Sequence, residues 1–450
     1  MTARARVRRD RLEGDIEAAL DPGNFVGDRA CFSFVSDLEV VEEEVAKLVE
    51  TDPVRAAALY EAFLAGCYEK ADELDDSSGS FGTFVGGLFC GWTRARQAAD
   101  KSREETAGRL LGWMADDPYG FCFGLERDLA AVLDRAGLAA LVKQVRERFD
   151  AHGWRGEEAS RRGEDYARHR WAEVLRALHL AQKDVGAYLA LAEETALTAQ
   201  DCHAVANMLL ARRKPEEALS WAERGIKIQA TAPRDSLAGH DLADLRRRLL
   251  RRLGRGQEAL ESAWAEYHEH PSVYSYRNLM KFVTKPDRAA WHEKAIEAAA
   301  GTDLYSLIGL LLETKEIERL AELVARSADD ALEQVSHYML EPAARKLEKT
   351  DVAAVARLWR AMGMRIVKAG KSKYYEAALR NFERAKRCYV KAGLEADWAA
   401  VVSQVRADHH RKYGFMPGFE QLVNGSGPGQ EPPFLERAKA RWIARPSPST

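Results

Sequence analysis

No cysteine of this chain stands in a C-x-x-C pair, and the six present (Cys31, Cys67, Cys90, Cys122, Cys202 and Cys388) lie far apart. That spacing excludes a structural zinc finger and a disulfide framework, and reads as small core residues kept reduced in a cytosol. No run of about 18 apolar residues is present to span a bilayer as a helix. The arginines between Thr2 and Asp10 have no apolar stretch behind them, which excludes a secretory signal; Asp10, Glu13, Asp15 and Glu17 argue against a transit peptide. A surplus of one charge is lacking too. With 67 Lys and Arg against 70 Asp and Glu, any basic function must be local. These absences lead to the expectation of a cytoplasmic protein with no membrane partner, no metal and no other cofactor.

Catalytic signatures are equally scarce. Gly79-Ser80-Phe81-Gly82 is not the G-x-S-x-G elbow and no strand precedes it. The stretch from Gly425 to Gly429 lacks the Lys-Ser/Thr and the flanking strand of a phosphate loop. The chain is therefore not expected to be an enzyme.

What is there is helix. Hydrophobic residues make up 46% of the chain and charged ones 30%, enough to build a core and too apolar for general disorder. Apolar positions recur three and four apart, as in Val174, Leu175, Leu178 and Ala181, or Val355, Leu358, Trp359, Met362 and Ile366. Alanine is abundant, which favours helices intrinsically and lets neighbouring helices approach closely. Turn signals punctuate the chain at Asp52-Pro53, 75–80, 116–120, Lys214-Pro215, Pro233, His270-Pro271 and Lys285-Pro286. The fold class is all-α: antiparallel helical hairpins stacked as a right-handed superhelix. A composition shift at 151–168 predicts an irregular helical unit over 1–150 and a helical-repeat solenoid over 164–423. A flexible tail follows over 424–450, with one short amphipathic helix from Phe434 to Ile443.

The repeats are internal. Lys214 to Ile226 carries small residues at Ala218, Ala222 and Gly225, preceded by Ala206 between apolar Val205 and Leu209. Gln257 to Trp264 repeats the theme with Ala259 and Ala263, and Tyr375 to Ala385 with Ala378, Phe382 and Ala385. Arg247 stands where the second copy would have a small residue. This pattern resembles the tetratricopeptide repeat, which implies stacked helix pairs and a concave face for a protein or peptide partner. The last third, from Tyr374 to Leu379, Ala396 to Val401 and Val405 to Lys412, resembles the C-terminal helices of bacterial SWIM zinc-finger proteins. That family's C-x-C and C-x-H zinc module has no counterpart here, so only the helical scaffold is implied.

Four arginines form the candidate binding site. Arg248, Arg251, Arg252 and Arg255 fall three or four apart, which predicts one basic helix face for a phosphate backbone or an acidic peptide. Asp241, Asp244, Glu258 and Glu261 flank them and favour a solvated face instead. Arg406, His409, His410, Arg411 and Lys412 read as a second basic surface. Glu266, His268, Glu269 and His270 read as a helix end rather than a metal site, because no Glu-x-x-His occurs. In Asp201-Cys202-His203, neighbours on a helix point apart, so Cys202 reads as core. The tryptophans, Trp154, Trp171, Trp221, Trp264, Trp291, Trp359 and Trp398 among them, read as plugs between helices, a minority lining a groove. The expected function is a non-catalytic scaffold for a protein or peptide partner, with nucleic-acid association through Arg246–Arg255 as the less favoured reading.

Overall fold

The computed structural model describes residues 11–21, 23–151, 162–231 and 237–424. Trp154, Pro233 and the tail from 425, with the helix expected there, lie outside the described residues. Among those described, the only β-type pairing is a single bridge between Val26 and Leu74. The chain is all-α.

It divides into two compact units, Met1–Leu253 and Gly254–Thr450. The first holds α1 (Arg11–Leu20), α2 (Asp28–Thr51), α3 (Pro53–Lys70), α4 (Ser80–Ala98), α5 (Arg103–Ala115), α6 (Leu125–Val132), α7 (Arg135–Ala151), α8 (Arg162–Gln182), α9 (Val185–Glu194), α10 (Ala199–Ala211), α11 (Pro215–Ala230) and α12 (Leu237–Arg252). The boundary expected at 151–168 is not where the chain divides. One core runs from Ile16 to Leu191 and joins Leu141, Val145 and Phe149 to Trp171, Leu175 and Leu178. The polar stretch that suggested a boundary separates α7 from α8, and these two helices pack on each other.

Local chemistry sets the helix ends. Pro53 and Pro215 open α3 and α11 at a position whose N–H has no helical partner. Asp52 accepts from the Arg55 N–H at 3.3 Å, and Ser102 caps α5. Thr198 and Asp201 form a reciprocal capping box at the start of α10.

The small-residue register holds. Ala206, Ala218 and Ala222 are fully buried, and α10, α11 and α12 pack on one another. A side-chain carbon on Gly225 would stand 2.8 Å from both the Cys202 Cβ of α10 and a Leu242 methyl of α12. That spacing leaves room for hydrogen only. Arg247, at the position expected to be small, is itself buried.

The second unit holds α13 (Gly256–Glu269), α14 (Val273–Met280), α15 (Arg288–Ala298), α16 (Leu304–Thr314), α17 (Ile317–Arg326), α18 (Asp329–Gln334), α19 (His337–Leu347), α20 (Val352–Ala369), α21 (Tyr375–Lys391), α22 (Glu395–His409) and α23 (Met416–Asn424). Its core runs from Leu260 to Phe419 and takes in Ala263, Ala378, Phe382 and Ala385 of the predicted register. Trp359 and Trp398 are buried plugs in it. The half-buried Trp264 and Trp291 meet edge to face at 5.4 Å, with the Lys294 ammonium over both rings. A buried ionic cluster ties α18 to α20: Arg360 lies 3.1 Å from Glu333 and 3.2 Å from Asp329, and Lys368 also reaches Glu333. Arg357 donates to the Ala325 and Ser327 carbonyls at the end of α17, at 2.7 and 2.6 Å.

Candidate functional site

The four arginines expected to share a face do not sit on one helix. α12 ends at Arg252, Gly254 takes φ +78°, and Arg255 stands at the start of α13. A left-handed residue breaks the 3.6-residue period that the spacing assumed. Arg248 is paired with Asp244 at 3.0 Å, and Arg255 with both carboxylate oxygens of Glu258 at 2.6 and 2.7 Å. Arg251 and Arg252 are exposed. Nearby, Arg246 pairs with Glu223. Charges so engaged in water contribute little and leave little to offer an anion.

The histidine clusters also separate. His409 is buried while His410 is exposed, and His270, at the end of α13, lies 3.8 Å from Glu269 in solvent. Among the described residues no three His, Cys, Asp or Glu side chains are grouped to hold a metal ion. Cys202 is fully buried, as its apolar register predicted.

A wide concavity was not legible as a motif. It lies in the first unit and encloses roughly 2000 Å³ between the loop before α6, α8, and the α9–α10 connection. Its floor is small and apolar: Ala130, Ala172, Ala177 and Ala204 leave space that larger side chains would fill. At its rim Phe123 is 93% exposed and Leu180 44%. Phe123 is carried on a short loop whose flanking glycines, Gly120 and Gly124, both take positive φ. An aromatic held in water on so constrained a loop contributes nothing to the core.

The walls are fixed by ion pairs. Glu194 bridges Arg146 at 2.8 Å and Arg168 at 3.0 Å, and the Arg168 guanidinium lies 3.9 Å from the Phe149 ring centroid. Asp201, almost fully buried, accepts from Arg176 Nε at 2.8 Å, from the Tyr188 hydroxyl at 2.9 Å, and from the Thr198 N–H and hydroxyl. Burial alone would raise its pKa. The Thr198 donors and the Arg176 charge outweigh burial and hold it below the ordinary carboxylate range. The same burial, with the Asp201 charge, pushes the Tyr188 hydroxyl up. This network braces α8, α9 and α10 and has no acceptor capacity to spare for chemistry.

Glu126 behaves differently. It lines the groove half-buried, and burial raises its carboxyl pKa against the pull of its backbone N–H, Arg127 and Arg170. Arg127 and Arg170 make no ion pair among the described residues, although Arg170 rests 5.8 Å from the Trp171 ring centroid. The Cys122 thiol beneath them is pushed up to about 12 by burial and by Asp117, so it stays protonated and inert.

Residues 16–417 match a family described as "Family of unknown function (DUF6880)". The chain belongs to the DUF6880 family. This family is neither of the two that the repeats resemble. No curated protein matches the chain. One solved structure, a circular tandem repeat protein with novel repeat topology and enhanced subunit contact surfaces, aligns over 92% of this chain and 97% of its own at 14% identity. Its TM-score is 0.19, which assigns neither fold nor function. Among the described residues of this DUF6880 chain, no helix is long and apolar enough to cross a membrane.

Proposed function

We propose that the protein is a non-catalytic helical scaffold that holds a peptide segment of a protein partner in the groove of its first unit. The observation that supports this is Phe123, exposed at the rim of a groove of roughly 2000 Å³. Aromatic side chains with that exposure are the usual anchors of partner binding. The volume exceeds what a small ligand fills and suits a short helix or an extended segment. Apolar side chains of the segment would meet Phe123 and Leu180, and an acidic one would meet Arg127 and Arg170, whose carboxylate neighbour Glu126 forms no ion pair with either among the described residues. Asp201, Arg176, Tyr188 and Thr198 are committed to one another, and this favours recognition over catalysis.

A photo-crosslinking side chain placed at 123 in the full chain, expressed in its native cell, tests the reading. The same probe at Phe32, which is 74% exposed and outside the groove, serves as the reference. One recurrent protein adduct at 123 and none at 32 is expected. Identical adducts at both sites, or none at either, would remove the basis for the proposal.

A further inference from the structure

The second unit holds a separate and differently charged pocket. It encloses roughly 420 Å³ between α19, α20 and α21. Val352, Val355, Trp359 and Cys388 form an apolar floor, and Arg345, Arg384, Arg387 and Lys391 stand around it with one carboxylate, Glu348. The sequence explains the rim. On α21, Arg380, Arg384, Arg387 and Lys391 recur at intervals of four, three and four, which puts them on one helix face. The opposite face, Ala378, Phe382, Ala385 and Tyr389, is buried.

Like charges at these intervals repel, and many arginines elsewhere in this chain, such as Arg277 with Glu313 and Arg406 with Glu420, are met by carboxylates. Here they are not. Arg384, Arg387 and Lys391 make no hydrogen bond or ion pair among the described residues, and Arg380 reaches Glu376 only at 3.9 Å. Arg345 is taken by Glu341 at 2.6 Å. Arg384 is positioned without a carboxylate: its guanidinium lies 4.4 Å from the Trp359 ring centroid. The ring fixes the fork while its N–H donors stay available.

We propose that this pocket binds a small phosphorylated organic molecule, its phosphate held by Arg384, Arg387 and Lys391 and its less polar part resting on Val352, Val355 and the edge of Trp359. Guanidinium forks match phosphate oxygens in geometry and charge, and the uncompensated rim supplies the attraction. The volume lies at the small end of ligand pockets, the size of a mononucleotide or sugar phosphate rather than a polymer. The cations available span seven residues of helix, about 10 Å, too short a track for more than one or two phosphates of a strand.

The test uses the full chain and five probes: AMP, glucose 6-phosphate, adenosine, glucose and a single-stranded oligonucleotide. Calorimetry reads binding. Protection of Cys388 from maleimide reads its location, since Cys388 lines the pocket and the other five cysteines are buried. AMP or glucose 6-phosphate should bind saturably and, at ten times its Kd, slow Cys388 modification about tenfold. The dephosphorylated counterparts should do neither. Arg387→Glu with Lys391→Glu, both exposed and without ion-pair partners among the described residues, should abolish binding and protection; Arg248→Glu should change nothing. Failure of both phosphorylated probes overturns the proposal, as does protection that persists in the double variant. Binding of the oligonucleotide alone overturns it in favour of a nucleic-acid site. Because the pocket and the Phe123 groove lie in different units and are read by different probes, either can fail without the other.

Discussion

Gly225 gives the sharpest test of how the helical hairpins of the first unit close. Replacing a mid-helix glycine by alanine removes backbone freedom from the unfolded chain and favours the helix by about 0.8–1 kcal/mol. Gly87 in α4 is the reference: a side-chain carbon there would have no neighbour within 4 Å. At Gly225 of α11 the added carbon would meet Cys202 Cβ and a Leu242 methyl at 2.8 Å each. Carbon atoms prefer about 3.5–4.0 Å, so each contact falls short by about 0.7 Å or more. The Leu242 methyl can rotate away. The Cys202 Cβ is fixed to the α10 backbone, so relief requires α10 and α11 to part. Overpacking of that kind costs about 1–3 kcal/mol. The propensity gain is common to both sites and cancels, so the two substitutions should differ by about 1–3 kcal/mol. Gly87→Ala should raise the urea midpoint, followed by far-UV circular dichroism, and Gly225→Ala should leave it unchanged or lower it. Equal gains at both sites would show that the helices do not need the close approach, and the small-residue account of the hairpin would be refuted.

Other perturbations probe different terms. Ala259→Trp should overpack α13 and lower stability by about 1–3 kcal/mol in the same denaturation assay, because Ala259 is fully buried; an unchanged midpoint would place it wrongly. Arg360→Leu should cost about 3 kcal/mol by stripping the buried Glu333 of its arginine, and adding Glu333→Leu should recover much of that loss; a double variant less stable than the single would contradict it. Burial lowers the pKa of His179 and of His409, so the folded state prefers both neutral, whereas the unfolded imidazoles bind protons near 6.5. Their contribution is complete above about pH 6.5 and is lost as pH falls below it, by up to about 1.4 kcal/mol per pH unit for each histidine. His179→Gln with His409→Gln should flatten the stability profile between about pH 6.5 and 5, and an unaltered slope would remove these two groups as its cause.

How much of this was readable beforehand depended on whether the signal was periodic. Ala206, Ala218, Ala222 and Gly225 announce themselves at helical intervals, and all four are buried as that register requires. The same logic failed at Arg255, because spacing counts residues and cannot register that Gly254 turns the backbone left-handed. It failed again at 151–168, where a polar stretch suggested an end to the core although Phe149 and Trp171 belong to one cluster across it. The groove had no linear signature because Phe123, Leu180 and Asp201 meet only after three segments pack. Its one local trace was Gly120 and Gly124 bracketing an aromatic, which reads as a turn until the ring is seen to be exposed.

The basic face of α21 was periodic and still passed over, for an instructive reason. Arg380, Arg384, Arg387 and Lys391 fall three or four apart, as Arg248, Arg252 and Arg255 do, but in a less dense run of basic residues. What separates the two clusters is neither density nor spacing but the disposition of nearby acids. Asp244 and Glu258 reach their arginines, whereas Glu383, one turn before Arg387 on α21, makes no ion pair with Arg384, Arg387 or Lys391 among the described residues. A charge becomes available to a ligand when its helix face leaves it without a counter-ion, a property of three-dimensional pairing that a count of like residues does not contain.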